Sequence, residues 1–139
     1  MQIQINNMVL KGNAYEISKS DNEFPSALKN INDGPNKLYV VGNLDALVPG
    51  IAIVGARKAT PYGISCAKHF ASIAAKNNIV VISGGAYGCD SAAHRAALQE
   101  GHKTVVFLGG GCNKPYPLHH VKLFQQVIDC GGAIVSEHD

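Results

Sequence analysis

The chain of 139 residues contains no tryptophan, and aromatic residues make up only 6% of it. That scarcity excludes extended stacking of bases on a run of aromatic platforms. Charged residues are 16% and hydrophobic residues 46%, which excludes a disordered tail or a coiled coil and suits a buried sheet under helices. The net charge is only +2. Residues 1–50 carry four lysines against five acids, and residues 51–139 carry eight basic residues against five acids. This mild balance is far from the dense basic surface that grips duplex DNA by charge alone, so a polyanion would need a focused pocket. The four cysteines, Cys66, Cys89, Cys112 and Cys130, have no CxxC spacing, which leaves structural zinc without support. No basic-then-apolar leader opens Met1–Leu10 and no apolar run reaches membrane-spanning length, so the expectation is a cytoplasmic protein whose reduced thiols pack as small apolar residues. There is no GxGxxG, and no acidic residue ends the strand where a ribose diol would be held. A nicotinamide cofactor is therefore disfavoured, and neither cofactor nor metal is expected.

What is present is a rhythm of short apolar runs. They are Leu38 to Val41, Ile51 to Val54, Ile79 to Ile82, Thr104 to Leu108 and Ala133 to Ser136. Continuous hydrophobicity means strands covered on both faces, as in a parallel sheet. Helices fill the gaps. Thr60 and Pro61 form a cap and first-turn pair for a helix with Ile64, Ala67, Ala71 and Ala74 at helical spacing. Asp90 is expected to cap a second helix over Ser91–Glu100, and Val121–Asp129 forms a third. Strands alternating with helices of this length predict right-handed crossovers and an α/β fold, a three-layer, doubly wound, Rossmann-like parallel sheet. Residues 1–36 read as an N-terminal extension, because Gly12, Asn13, Ser20, Asp21 and Asn22 break any sustained period. Within it, Pro25 can open a short helix with an apolar face of Ala27, Leu28 and Ile31. Residues 37–139 form the domain.

Ligands of such sheets bind beyond the carboxyl ends of the strands, where the winding switches direction. Three glycine-bearing loops fall there: Gly55-Ala56-Arg57, Ser83-Gly84-Gly85-Ala86-Tyr87-Gly88, and Gly109-Gly110-Gly111-Cys112. Glycine removes the Cβ that would hold a phosphate oxygen away from backbone N–H groups, and helix N-termini add partial positive charge. Tight turns alone account for any one loop; three together favour an anion site. Arg57 is one of only two arginines and sits two residues past a strand end, where its planar fork can clamp a phosphate. Lys58 adds charge or is simply solvated. Arg95 reads as a surface or packing residue. His94 lies one turn past Asp90 and either fixes the loop or acts on a substrate, a structural hydrogen bond being the commoner role. His119 and His120 are adjacent and poorly placed to chelate together, and Cys112 is too isolated to be a nucleophile.

The stretches Ile-Ala-Ile-Val-Gly-Ala-Arg-Lys-Ala-Thr-Pro-Tyr-Gly from Ile51 and Val-Val-Ile-Ser-Gly-Gly-Ala-Tyr-Gly-Cys-Asp-Ser-Ala-Ala-His ending at His94 resemble the DprA/Smf family of bacterial DNA-processing proteins. Phe24 to Leu28 and Leu38 to Asn43 upstream, and Val106 to Gly111, Tyr116-Pro117 and Ile134 to Glu137 downstream, are similar to that family too, so residues 24 to 137 are covered. The resemblance implies a Rossmann-like core that binds single-stranded DNA without sequence specificity, protects incoming strands during natural transformation and helps load the RecA recombinase. It implies that Gly55 and Arg57 belong to a phosphate-contacting loop, that Ser83, Gly84, Gly85, Gly88 and Asp90 form a second wall, and that His94 is structural. Lys58, Tyr87, Gly109 and Gly110 complete the expected nucleic-acid-binding set.

Three departures qualify the match. The family commonly has arginine where this chain has Tyr87, which removes a charge or supplies a ring for a base. Cys89 replaces an aliphatic residue. The sequence stops at Asp139, where the family continues with an Arg-Asn-Arg-type motif and further strands. It is therefore expected to be a truncated or short member, incomplete at its C-terminus, whose open sheet edge is covered by a second copy or a partner chain. The function expected is non-catalytic binding of single-stranded DNA in DNA processing, transformation and recombination. The alternatives are a phosphoribohydrolase like the LOG family, whose Thr-bearing loop and helix-borne Glu have no counterpart in Gly109 to His120, and a nucleotide-sensing domain.

Overall fold

A computed structural model describes residues 1–3 and 9–139, so part of the segment Met1–Leu10 that was read for a leader lies outside the described residues. Among the described residues, seven strands form one sheet. In chain order they are β1 (Gln2–Ile3), β2 (Ala14–Ser18), β3 (Lys37–Gly42), β4 (Gly50–Ala52), β5 (Val80–Ser83), β6 (Thr104–Leu108) and β7 (Ala133–Ser136). The helices are α1 (Ser26–Lys29), α2 (Pro61–Lys76), α3 (Cys89–Gln99) and α4 (Val121–Asp129). Across the sheet the strands run β1-β2-β3-β7-β6-β5-β4. The four strands β4, β5, β6 and β7 are parallel, while β3 pairs antiparallel to β7, β2 to β3 and β1 to β2.

The α/β, Rossmann-like class stands, and the details differ from a doubly wound parallel sheet in two ways. The sheet is mixed, because a continuous apolar run reports burial on both faces and is silent on strand direction. Leu38 to Val41 is such a run, and its strand is antiparallel. The winding also never reverses among the described residues. Each crossover from β4 through β7 steps one strand in the same direction, so connections of one hand place all three long helices on one face. That face is packed by alanines of α2 and α3 against Val81, and by Leu123, Phe124 and Val127 of α4 against Val41, Val106 and Ile134. The small side chains let α2 and α3 lie close to each other and to the sheet.

The opposite face is covered thinly, by Phe24, Leu28 of α1, and Leu44, Ala46 and Leu47 of a 3-10 turn, over Val40, Val80, Val105 and Val135. Residues read as an extension thus contribute β2 to the sheet and Leu10, Ala14, Ile17 and Phe24 to the core. Glu16 and Ser18 interrupt the apolar pattern of β2 and hide it; Glu16 is held by Lys37 of β3 at 2.8 Å. Ile31, expected on the buried face of α1, is 49% exposed. Strand β4 ends at Ala52, leaving Val54 exposed in the loop that follows. Helix α2 starts as expected, with the Thr60 hydroxyl accepting the Gly63 N–H at 3.1 Å.

Candidate nucleic-acid interface

Parallel strands end on the same side of the sheet, so the loops after β4, β5 and β6 emerge together. A cleft of about 370 Å³ lies there, lined by Arg57, Gly84, Ala86, Tyr87, Gly109, Gly110, Tyr116 and Pro117. The three glycine loops therefore converge on one edge. No reversal of winding is needed to place them there.

Arg57 is exposed and takes part in neither ion pair found among the described residues. Its position is set by Gly88, which has φ +82° and whose missing side chain lets it press against the carbonyl groups of Ala56 and Arg57. The Cys89 N–H donates to the Ala56 carbonyl at 3.4 Å. Gly109 and Gly110 are exposed, and a Cβ added to either would meet no atom within 4 Å. The fold does not require glycine at these two positions, so their bareness leaves backbone open to a ligand.

The other glycines have work inside the protein. Asp90 lies in the first turn of α3, whose cap position is Gly88, so the expected Asp90 cap is not formed. Its carboxylate instead accepts the Gly84 N–H at 3.1 Å, the Ala86 N–H at 3.4 Å and the Gly55 N–H at 3.4 Å. The protein's own anion thus occupies amides that the sequence offers to a phosphate. A Cβ at Gly84 would fall 2.8 Å from that carboxylate, and one at Gly55 would fall 2.6 Å from Cys89 Sγ. Gly85, with φ +69°, is buried, and a Cβ there would run into Phe124 and Val106. Ser83 is buried as well, and its hydroxyl donates to the Ile53 carbonyl at 2.5 Å, tying β5 to the end of β4.

Of the expected set, Arg57, Gly84, Tyr87, Gly109 and Gly110 line the cleft, while Gly55, Lys58, Ser83, Gly85, Gly88 and Asp90 do not. Lys58 is exposed beside the cleft. Ala86, Tyr116 and Pro117 line it without having been singled out as binding residues. Tyr116 and Pro117 follow the glycine loop by several positions, and only the return of the chain before α4 brings them back to it.

His94 is fully buried on the sheet side of α3 and does not line the cleft. Thr104 donates its hydroxyl to the Val81 carbonyl at 2.6 Å, so its oxygen accepts from His94 Nδ1–H at 2.8 Å. That fixes the tautomer and leaves Nε2 without a partner among the described residues. Burial, aided by nearby His120, lowers the His94 pKa to about 3, so the ring is neutral near pH 7. Cys112 is buried at the start of the segment after β6, and burial pushes its thiol up to about 12. Cys89 is buried too, whereas Cys130 is exposed and departs from the expected packing role; all four thiols are free. No helix among the described residues is long and apolar enough to cross a membrane, and no cluster of three potential metal ligands occurs among them.

Comparison with known proteins gives this geometry a family. The family model described as DNA recombination-mediator protein A matches residues 16–139. Protein Smf of Escherichia coli is 36% identical over 125 residues, covering 88% of this chain and 33% of that protein. The solved structure of DNA processing protein A from Streptococcus pneumoniae superposes with a TM-score of 0.79 at 36% identity, over 89% of this chain and 44% of the other. The structure of DNA processing protein A from Helicobacter pylori, described for its single-stranded DNA binding mode, superposes with a TM-score of 0.77 at 33% identity, over 91% of this chain and 56% of the other. The chain thus spans between a third and just over half of these three proteins. With the match running through all three cleft loops, this chain belongs to the DNA recombination-mediator protein A family.

Proposed function

We propose that this chain is a non-catalytic module that holds the sugar-phosphate backbone of single-stranded DNA, without sequence preference, in the cleft around Arg57. Its role would be DNA processing in the cytoplasm during natural transformation and recombination. The observation that carries this reading is the meeting of one exposed guanidinium with Gly109 and Gly110, two bare glycines that the fold itself does not need. A guanidinium binds phosphate through charge and two parallel N–H donors, and backbone free of side chains lets the strand approach. Similarity to the Helicobacter pylori protein supports the choice of ligand. Two groups that could do chemistry lie outside the cleft: His94 is buried and neutral, and Cys112 is buried with its thiol held protonated. RecA recombinase and a second copy of the chain are the partners that go with this reading. The open edge of β4, where Gly50, Ile51 and Ala52 are all exposed, offers a surface for the second copy.

The test is fluorescence anisotropy of a labelled oligo-dT strand over a series of salt concentrations. Arg57→Ala should weaken binding about tenfold, since a charge-assisted phosphate contact is lost. It should also reduce the slope of log affinity against log salt by about 0.7, the value for one single-strand phosphate contact. Unchanged affinity and slope in Arg57→Ala would overturn the proposal.

A further inference from the structure

We propose that Ser136, the last residue of β7, is a positioning residue for the cleft: by holding the Gly110 carbonyl it turns the Gly111 N–H toward a bound phosphate. The inference rests on the reading of the cleft as a strand-binding site, and it concerns a side chain that does not itself line the cleft.

Gly109, Gly110 and Gly111 leave the loop after β6 with no Cβ to resist rotation of its peptide planes. A peptide that turns over presents its carbonyl oxygen where its N–H had been, and a carbonyl repels the phosphate that an N–H attracts. Bare backbone therefore serves an anion only if something fixes which way it faces. Ser136 supplies that constraint. It is buried, and its hydroxyl accepts the His138 N–H at 2.9 Å while donating to the Gly110 carbonyl at 2.6 Å. The hydrogen bonds thus run in one sense, from His138 through Ser136 to the loop, and each strengthens the next. The same peptide is held at its other end, because a Cβ at Gly111 would collide with the Asp139 carbonyl that lies against it.

The direction follows from the order of strands. Strand β6 has β7 on one side and β5, then β4, on the other. The peptide between Gly110 and Gly111 is trans, so its C=O and N–H point opposite ways. With the carbonyl directed to Ser136 on β7, the Gly111 N–H faces the loops after β5 and β4, where Gly84, Tyr87 and Arg57 line the cleft. This N–H donates to no group among the described residues. Arg57 then brings charge to one wall of the cleft, and an oriented amide brings a directional donor to the other. Two donors on opposite walls suit the oxygens of one phosphodiester.

The experiment combines anisotropy of labelled oligo-dT with proton–nitrogen correlation spectra of the full chain. Ser136→Ala should weaken binding about fivefold, the order expected for one hydrogen bond. Its slope of log affinity against log salt should stay at the wild-type value, because no charge is removed. Ser136→Thr keeps the hydroxyl and should recover most of the loss. In the wild-type chain the Gly111 amide proton should move downfield as oligo-dT is added, and in Ser136→Ala at saturating strand it should stay near its free position. That amide signal decides the matter even if threonine proves too large for the buried site. Unchanged affinity in Ser136→Ala overturns the positioning role while leaving the strand reading intact. So does a weakened affinity in which the salt slope also falls, or in which the Gly111 amide still responds as in the wild type, since either marks a merely structural residue. Failure of the wild-type chain to bind oligo-dT overturns both readings.

Discussion

Replacing Asp90 by alanine removes the one carboxylate that three loop amides share. Only the bond from Gly84, at 3.1 Å, has near-ideal length; those from Ala86 and Gly55 are 3.4 Å. Hydrogen bonds to a charged acceptor contribute about 1.5–3 kcal/mol each when well formed, but these three divide one charge, and Gly55 is exposed and can turn its N–H to water. The expected loss is therefore about 3 kcal/mol rather than three full bonds. For a chain of this size each kcal/mol moves Tm by roughly 3–5 °C, which gives a drop of about 10–15 °C. Thermal and urea unfolding followed by far-UV circular dichroism would measure it. Asp90→Asn should lose about half as much, because its amide oxygen still serves Gly84 and Ala86 while its NH₂ faces the Gly55 donor. Binding of oligo-dT should weaken in Asp90→Ala, since the loop bearing Arg57 loses its tie through Gly55. If Asp90 instead faced the bound strand, alanine would remove a repelling charge. Affinity would then rise and Tm would stay within a degree or two, and that outcome would refute the role assigned here.

Burial lowers the His94 pKa to about 3, below the value near 6.5 of an unfolded histidine. The unfolded chain then takes up a proton that the folded chain refuses, so this contribution to stability is complete above pH 6.5 and is lost as pH falls toward 3. Urea midpoints across pH 7 to 5 should fall with a slope of up to about 1.4 kcal/mol per pH unit from this group, and His94→Leu should show a shallower slope. A slope unchanged in His94→Leu would mean the ring is not the titrating group. Gly88→Ala combines φ +82° with a collision against the Ala56 carbonyl. It should cost about 3 kcal/mol in thermal unfolding and weaken strand binding by shifting Arg57. Gly101→Ala, at φ +71° with no atom within 4 Å, should cost only about 1 kcal/mol, the left-handed penalty alone.

The amino-acid order determined the strands and helices of residues 37–139 and the loops that carry the cleft. Short apolar runs followed by glycine, and Thr60 before Pro61, are local signals that depend on neighbours a few positions away. It also marked Arg57, because an arginine past a strand end is rare in this chain. Strand direction and winding were decided only in three dimensions. Burial on both faces reads alike for parallel and antiparallel neighbours, and β2 hides behind Glu16 and Ser18 until β3 pairs with it. The division of labour among the loop residues was likewise tertiary. Asp90 reaches back to Gly55 across 35 positions, and Tyr116 returns to a cleft founded near Arg57. Sequence can offer amides to an anion, but which anion takes them depends on how close the folded chain brings its own carboxylate.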